Sequence, residues 1–397
     1  LACGCSGRLR AAPVSPAWEF LFIMIDSMVY ERLRGIGLAP ALMPQLTNTA
    51  PGGVASALRG PDGDSELMRV TEVQREGVAL HDGRTEHDAR LLPALRQALA
   101  AAGDAIAVGD WVSARRNPFG EWWVHKRVPP LNQLARRLHD GRDKVTRVVI
   151  VSNVDTAMLV MGLDHDYNLR RLERYVALVS LAGVTPLVVL TKADLCGGAE
   201  GVAERLREVQ LLLPPGAAVV AVNALDAGAG GPVGALAPWL QRGQTLVLLG
   251  SSGAGKSTLT NALTGAAQDT GANRNGDSRG RHTTTARSLH ATLQGACLID
   301  TPGLRTLRLD GEAEALDTVF DDIARLAPLC RFRDCRHDNE PGCAVRPVVA
   351  AERLRNYQKL LREARRDSLT ALERKAMVSQ WKARGRAARA RIDAKRG

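Results

Sequence analysis

The chain has 397 residues, of which 45% are apolar, 24% charged and 4% aromatic, with a formal net charge of +11. That length accommodates two or three domains, and the balance suits a water-soluble globular protein with no run long enough for a transmembrane helix. The charge is uneven: from Ala351 to Gly397 there are 15 Lys/Arg against 5 Asp/Glu, so the basic character belongs to the tail. Such a tail is either a contact for a polyanion or a solvated helix face, and the size of the excess favours nucleic acid.

Near the start, "WEFLFIMI" (Trp18 to Ile25) follows Arg8 and Arg10 but is short and broken by Glu19. It mimics a secretory leader without meeting its pattern. Residues 1–23 read as an upstream extension without structure of their own, with Met24 and Met28 as candidate starts. "APGGVASALRGPDGDSE" (Ala50 to Glu66) reads as a linker, which gives an N-terminal extension and linker over 1–65. The runs "LMRVTEVQ", "GVALHDG", "AIAVGDWVSAR" and "EWWVHKRV" alternate and are separated by Gly, Asp and Asn. They predict antiparallel strands of a small barrel, of the OB type that often binds nucleic acid, over 66–135. Leu91–Ala102 interrupts them as a helix or loop insert.

From Val148 the pattern changes. "VVIVSNVDTAMLVMGL", "TPLVVLTKADL", "AAVVAVNAL" and "QTLVLLG" read as buried strands. "NLRRLERYVALVSLAG", "AEGVAERLREVQLLL" and "VGALAPWLQ" between them read as helices. The alternation predicts a mainly parallel α/β sheet covered on both faces, over 145–315. "EAEALDTVFDDIARLA" looks helical, and a cysteine cluster and a charged, helix-prone tail complete 316–397.

"GSSGAGKST" (Gly250, Ser251, Ser252, Gly253, Ala254, Gly255, Lys256, Ser257, Thr258) fits G-x-x-x-x-G-K-[ST]. Its glycines let backbone N–H groups converge on phosphates, at the positive end of the following helix. Lys256 is placed to reach the β- and γ-phosphates, and the Ser257 hydroxyl to ligate Mg²⁺. Upstream, "TKAD" (Thr191, Lys192, Asp194) ends a strand. It is similar to the guanine-reading motif of GTPases, in which the Asp accepts from N1–H and the exocyclic amine. "AVNAL" one strand later resembles the second base-contacting loop, with Asn223 in place of the usual Ser and the small Ala224 kept. Downstream, "GRHTTTARSLH" offers one threonine of Thr283, Thr284 and Thr285, with Thr284 the candidate, to ligate Mg²⁺ in a switch segment. "LIDTPG" offers Asp300 for Mg²⁺ through water and the Gly303 N–H for the γ-phosphate. Leu304 follows where a water-positioning Gln would stand. His282 is either the side chain that positions water or a solvent-exposed loop histidine. The base-reading motifs precede the phosphate motifs, so the order is that of a circularly permuted GTPase binding GTP/GDP.

"CRFRDCRHDNEPGCAV" sets Cys330, Cys335, His337 and Cys343 at C-x4-C-x-H-x5-C. Three thiolates and one imidazole close a tetrahedron, which predicts one structural Zn²⁺ and no open catalytic position. The four remaining cysteines are scattered, as in a reduced compartment.

Taken together, the barrel, the permuted GxxxxGKS, GRHTTT and DTPG motifs and the cysteine–histidine element resemble the RsgA (YjeQ) family. These are bacterial GTPases dependent on the small ribosomal subunit. The resemblance runs from about Val29 to the end and includes "YERLRGIGLAPAL". It implies an OB barrel, a GTPase domain and a zinc domain. It further implies activation by the 30S subunit, a role in its late maturation with 16S rRNA as partner, and a catalytic histidine at His282. Thr191 and Asn223 depart from the family's Asn and Ser. The expectation is a cytoplasmic, monomeric GTP hydrolase without membrane or DNA partners. The competing one is a GTP-dependent RNA-binding scaffold with negligible turnover.

Overall fold

The computed structural model describes residues 27–49, 65–139, 145–226, 228, 231–265, 287–301, 316–317 and 319–368. Five strands form the first unit: β1 (Glu66–Val73), β2 (Val78–His81), β3 (Glu86–Leu91), β4 (Trp111–Arg116) and β5 (Trp122–Arg127). They run in the order β1-β2-β3-β5-β4, and β4 pairs back onto β1, so the barrel is closed. All these pairings are antiparallel except β3 with β5, which is parallel. The four runs read as strands from the sequence, now β1, β2, β4 and β5, pair antiparallel as expected, and the parallel contact is made by β3, which the sequence reading missed. The crossover joining β3 to the rest of the barrel carries a helix (Pro93–Ala101) whose Leu95 and Leu99 pack on the barrel core of Met68, Val70, Leu80, Val112 and Val124.

The N-terminal segment is built into the fold. A helix over 27–34 and a second at Met43–Thr49 bring Leu33, Leu38, Leu42 and Leu46 against Leu67, Trp111 and Val128 on the barrel wall. The remainder of the expected extension and linker lies outside the described residues.

The apolar run from Val148 splits in two. β6 (Gln133–His139) pairs antiparallel with β7 (Val145–Ser152) as a separate ribbon, and β8 (Thr156–Gly162) enters the large sheet. The break is made by Asn153, at φ 54°. The Asn132 side chain donates to Val154 O at 2.8 Å and accepts from Val154 N at 2.9 Å. Asparagine tolerates the left-handed conformation that this reversal needs.

The second sheet adds β9 (Thr185–Thr191), β10 (Ala218–Ala221), β11 (Thr245–Gly250), β12 (Ser288–Ala291) and β13 (Cys297–Asp300). Its order is β10-β9-β8-β11-β13-β12, parallel from β10 to β13. β8 and β11 are buried along their whole length, as strands covered on both faces should be. On one face lie α4 (Leu169–Leu181), the helix Ala199–Gln210 and the C-terminal element with its helix α9 (Ala351–Ser368). On the other lie the short helix Pro232–Leu236 and α7 (Lys256–Thr264). Here α4, α7 and α9 count the helices in chain order from the one over 27–34.

Barrel and sheet are joined in two ways. β12 pairs with β1 at Glu72 and Ser288, so the hydrogen-bonded ladder runs from one unit into the other. Beside this seam Arg69 is fully buried. It donates to Ile36 O at 2.6 Å, Thr245 Oγ1 at 2.8 Å and Asn153 O at 3.1 Å, and lies 5.4 Å from the centre of the Trp111 ring. Burial lowers its basicity, against the opposing influence of Cys297, Asp155 and Asp110. Gly37 (φ 86°) approaches so closely that a Cβ there would lie 1.9 Å from the guanidinium. Arg69→Met keeps the stem but orphans these acceptors, and should cost about 3 kcal/mol. Urea unfolding checks this: an unchanged midpoint would remove Arg69 from the joint.

Candidate functional site

Because β10, β9, β8, β11 and β13 are parallel, their C-terminal ends share one edge of the sheet. That edge is where open α/β sheets bind ligands. It brings together Thr191–Asp194 after β9, Asn223 and Ala224 after β10, Gly250–Thr258 after β11 and Asp300 at the end of β13. His282, Thr284 and Gly303 lie outside the described residues.

The loop after β11 turns at Gly250, where a Cβ would stand 2.4 Å from Val160 O of the neighbouring β8. Only glycine fits that approach. Gly255, at φ 89°, caps α7, whose Leu259 and Leu263 anchor it in the core. Free N–H groups of its first turn therefore point to the loop's hollow. Lys256 Nζ reaches back over the loop to Gly250 O at 3.0 Å and Ser251 O at 2.6 Å. Burial pushes the Asp300 carboxyl above its ordinary range, against the charge of Lys256 and His290. A half-buried acid near one lysine suits a divalent cation, with Ser257 in the first turn of α7.

Thr191 is fully buried and donates to Ala254 O at 2.7 Å. One hydroxyl thus ties the strand that presents TKAD to the phosphate loop. Lys192 adopts φ 57°, which lifts its stem from the sheet edge, and its Nζ donates to Asp164 at 2.7 Å. Burial opposes ionisation of Asp164, but Lys192 outweighs it and holds the carboxyl below the usual range. Asp194 is exposed, and among the described residues it makes no hydrogen bond or ion pair. The Asn223 side chain accepts from Leu225 N at 3.1 Å, folding the loop that carries Ala224.

Sequence reasoning missed the loop after β8. Asp166, 8% exposed, accepts from Ser251 Oγ at 2.5 Å, from Arg171 at 2.6 Å and from Gly162 N at 3.2 Å. It braces the phosphate loop from the base-reading side. The available signal was "GLDHD", two acids directly beyond a buried strand.

The four metal ligands expected from the sequence converge as well. Their ligand atoms lie within 4.8 Å of one another, with His337 Nδ1 at 3.6 Å from Cys330 Sγ and 3.5 Å from Cys343 Sγ. Zinc–ligand bonds of about 2.3 Å to sulfur and about 2.05 Å to nitrogen, at a tetrahedral angle, give an edge of about 3.5 Å. The donor set therefore fits Zn²⁺ in spacing as well as in kind. Desolvation, with hydrogen bonds to Cys330 and Cys343, pushes the Cys335 thiol up to about 11, while, against burial, backbone N–H groups of Arg346 and Val345 hold the Cys343 thiol below its ordinary value; a dication would favour the thiolate at both. Gln358 of α9 donates to Arg336 O and His337 O, both at 3.1 Å.

α9 in turn is clamped to α4. Arg353 donates to Glu173 at 2.5 Å and with two nitrogens to Asp322 at 2.9 Å, and it stacks 4.8 Å from the Phe320 ring. Removing Cys335 by Cys335→Ala should abolish a content of close to one zinc per chain and lower the thermal midpoint by several degrees while GDP binding persists. Metal analysis with thermal unfolding checks this, and an unchanged midpoint would argue against a structural metal.

Known proteins share this arrangement. Residues 129–310 match the family described as RsgA GTPase. A Mesorhizobium japonicum protein named small ribosomal subunit biogenesis GTPase RsgA is 42% identical over 312 residues, covering 76% of this chain and 85% of the relative. A Vibrio vulnificus protein named small ribosomal subunit biogenesis GTPase RsgA 2 is 43% identical over 325 residues, covering 80% and 86%. In fold, the chain is similar to YjeQ from Thermotoga maritima, at TM-score 0.54 and 24% identity over 76% of this chain and 98% of that one. It is similar also to YloQ, described as a circularly permuted GTPase, at TM-score 0.51 and 22% identity over 77% and 97%. Among the described residues no helix is long and apolar enough to cross a membrane.

Proposed function

The chain belongs to the RsgA family of GTPases, and from that premise we propose that it hydrolyses GTP to GDP and phosphate in late maturation of the 30S ribosomal subunit, with turnover triggered by subunit binding. The observation that carries this is the single sheet edge on which Thr191–Asp194, Asn223–Ala224, Gly250–Thr258 and Asp300 meet. The proposed division is a barrel over 66–135, a GTPase domain over 145–315 and a zinc domain with basic tail over 316–397, preceded by 1–65.

Asp194 accepts both guanine donors, and its lack of a partner among the described residues leaves both oxygens available. The Lys192 stem, steered by Asp164, lies along the base. Asn223 shapes the loop that offers the Ala224 N–H. The backbone from Gly250 through Ser251, Ser252, Gly253 and Ala254 to Gly255 cradles the phosphates, with Thr258 on the helix that follows. Lys256 exchanges its loop carbonyls for β- and γ-phosphate oxygens. Ser257, Thr284 and Asp300 would hold Mg²⁺, which neutralises charge on the phosphates. The Gly303 N–H contacts the γ-phosphate, and His282 orients the attacking water. Cys330, Cys335, His337 and Cys343 hold Zn²⁺ and keep the C-terminal element folded.

The barrel, zinc element and tail supply contacts to 16S rRNA. The protein acts as a cytoplasmic monomer with no DNA or membrane partner. Leu304 in place of a glutamine favours slow turnover by the isolated chain. It is also what supports the second reading, a GTP-dependent RNA-binding scaffold.

Hydrolysis rates alone and with 30S subunits, 50S subunits and 70S ribosomes separate the two. Stimulation confined to samples containing 30S is expected. Guanine binding with no stimulation in any sample would leave the scaffold. Asp194→Asn should weaken GDP binding about 10- to 100-fold, as a charge-assisted pair of hydrogen bonds is lost, and raise the affinity for xanthine nucleotides. Competition titration measures both, and an unchanged GDP affinity would remove Asp194 from the base site.

A further inference from the structure

Beside the nucleotide edge, α4 and α9 leave an open groove of about 390 Å³ between them. Arg170, Arg171 and Arg174 line it from α4, and Arg355 and Lys359 from α9. A single carboxylate, Glu352, shares it. Glu352 bonds Arg170 and lies 3.8 Å from Arg355, while Lys359 has no ion-pair partner among the described residues. Arg171 and Arg174 are held from behind by Asp166 and Glu363. The outward charges are therefore Arg170, Arg355 and Lys359 against Glu352. They sit beside the positive N-terminal end of α4, which Asn168 caps.

Two features describe the occupant. Arg355, Lys359 and Arg362 recur at i, i+4 and i+7 on α9, one face of the helix. Seven residues rise about 10 Å, longer than one phosphate group and suited to successive phosphates of a chain. Every lining residue carries a polar or charged head on its stem, with no aromatic ring and no wholly aliphatic side chain that could enter a lipid layer. Arg and Lys heads contact phosphate and sugar without reading base identity, and an Arg plane that stacks on a base does so whatever the base. The stripe also leads toward 369–397, the most basic stretch of the chain.

We propose that the α4–α9 groove is a docking site for the sugar–phosphate backbone of structured RNA. This rests on the ribosomal reading above and gives it an address. Arg171, at the groove floor, holds the carboxylate that braces Ser251, so the docked strand lies two hydrogen bonds from the phosphate loop.

The test uses the full chain and purified 30S subunits across a salt series, with a non-hydrolysable GTP analogue. The variant R355Q/K359Q is compared with K395Q/R396Q, which removes the same charge from the tail. The groove variant should bind about tenfold more weakly, with its log–log salt slope shallower by about one to two, and more so than the tail variant. GDP affinity should stay at the wild-type value. A groove variant equal to wild type overturns the proposal. So does an equal loss in both variants, which would reduce the groove to bulk charge.

If the wild-type chain ignores 30S subunits, the ribosomal reading fails, and a fluorescent RNA hairpin becomes the probe. Hairpin binding lost in the groove variant alone sustains the docking site, and binding shared by all variants ends it. Binding of anionic phospholipid vesicles that depends on the groove, with none to RNA, would assign the groove to a membrane surface and overturn the proposal.

Discussion

One buried guanidinium holds the molecule's two halves in register. Arg69 starts on a barrel strand and ends among the carbonyls of Ile36 and Asn153 and the hydroxyl of Thr245. Thr245 is the first residue of β11, and the phosphate loop begins at the last. Six residues of extended strand span about 20 Å, so the joint and the nucleotide edge are opposite ends of one rigid, buried element. An unsatisfied cation at that joint would be intolerable. Bonding to these three partners fixes where the barrel, the N-terminal helices and β11 stand relative to one another.

At the other end, two side chains bind the halves of the nucleotide site together. Thr191 bonds the phosphate loop from the strand that carries the base-reading residues, and Asp166 bonds it from the next loop over. Both come from segments that precede the loop in the chain. The permutation changes which segments are joined by peptide bonds, while the spatial edge is rebuilt by hydrogen bonds across β8, β9 and β11. A threonine at 191 still donates to the loop, so this departure from the family's asparagine leaves the brace in place.

Much of this was legible in the sequence, because the phosphate loop, TKAD and the cysteine cluster need particular residue types at fixed spacing. The sheet was legible because strands such as "TPLVVLT" are buried on both faces and read as unbroken apolar runs. β3 ("EHDARL") and β6 ("QLARRLH") were not. They are mostly polar, and what places them is pairing with β2, β5 and β7, which no local pattern announces. The parallel β3–β5 contact is likewise a property of closure. Asp164 and Asp166 carry no motif, and their roles follow only from where β8 ends. Arg353 was hidden among other arginines of the tail, and its burial depends on Glu173, distant in sequence.

The strand order also bears on how the chain comes into being on the ribosome that makes it. Of the parallel sheet, β8, β9 and β10 emerge first and can pair as a three-stranded unit with β8 at its rim. That rim, buried along its whole length in the finished protein, stays bare until β11 has been synthesised. An apolar open edge is the feature that seeks stray partners. Residues 163–244, which separate β8 from β11, thus set a delay during which the nascent chain is most exposed to mispairing. The Asp166 and Thr191 side chains are in place before the phosphate loop arrives to meet them.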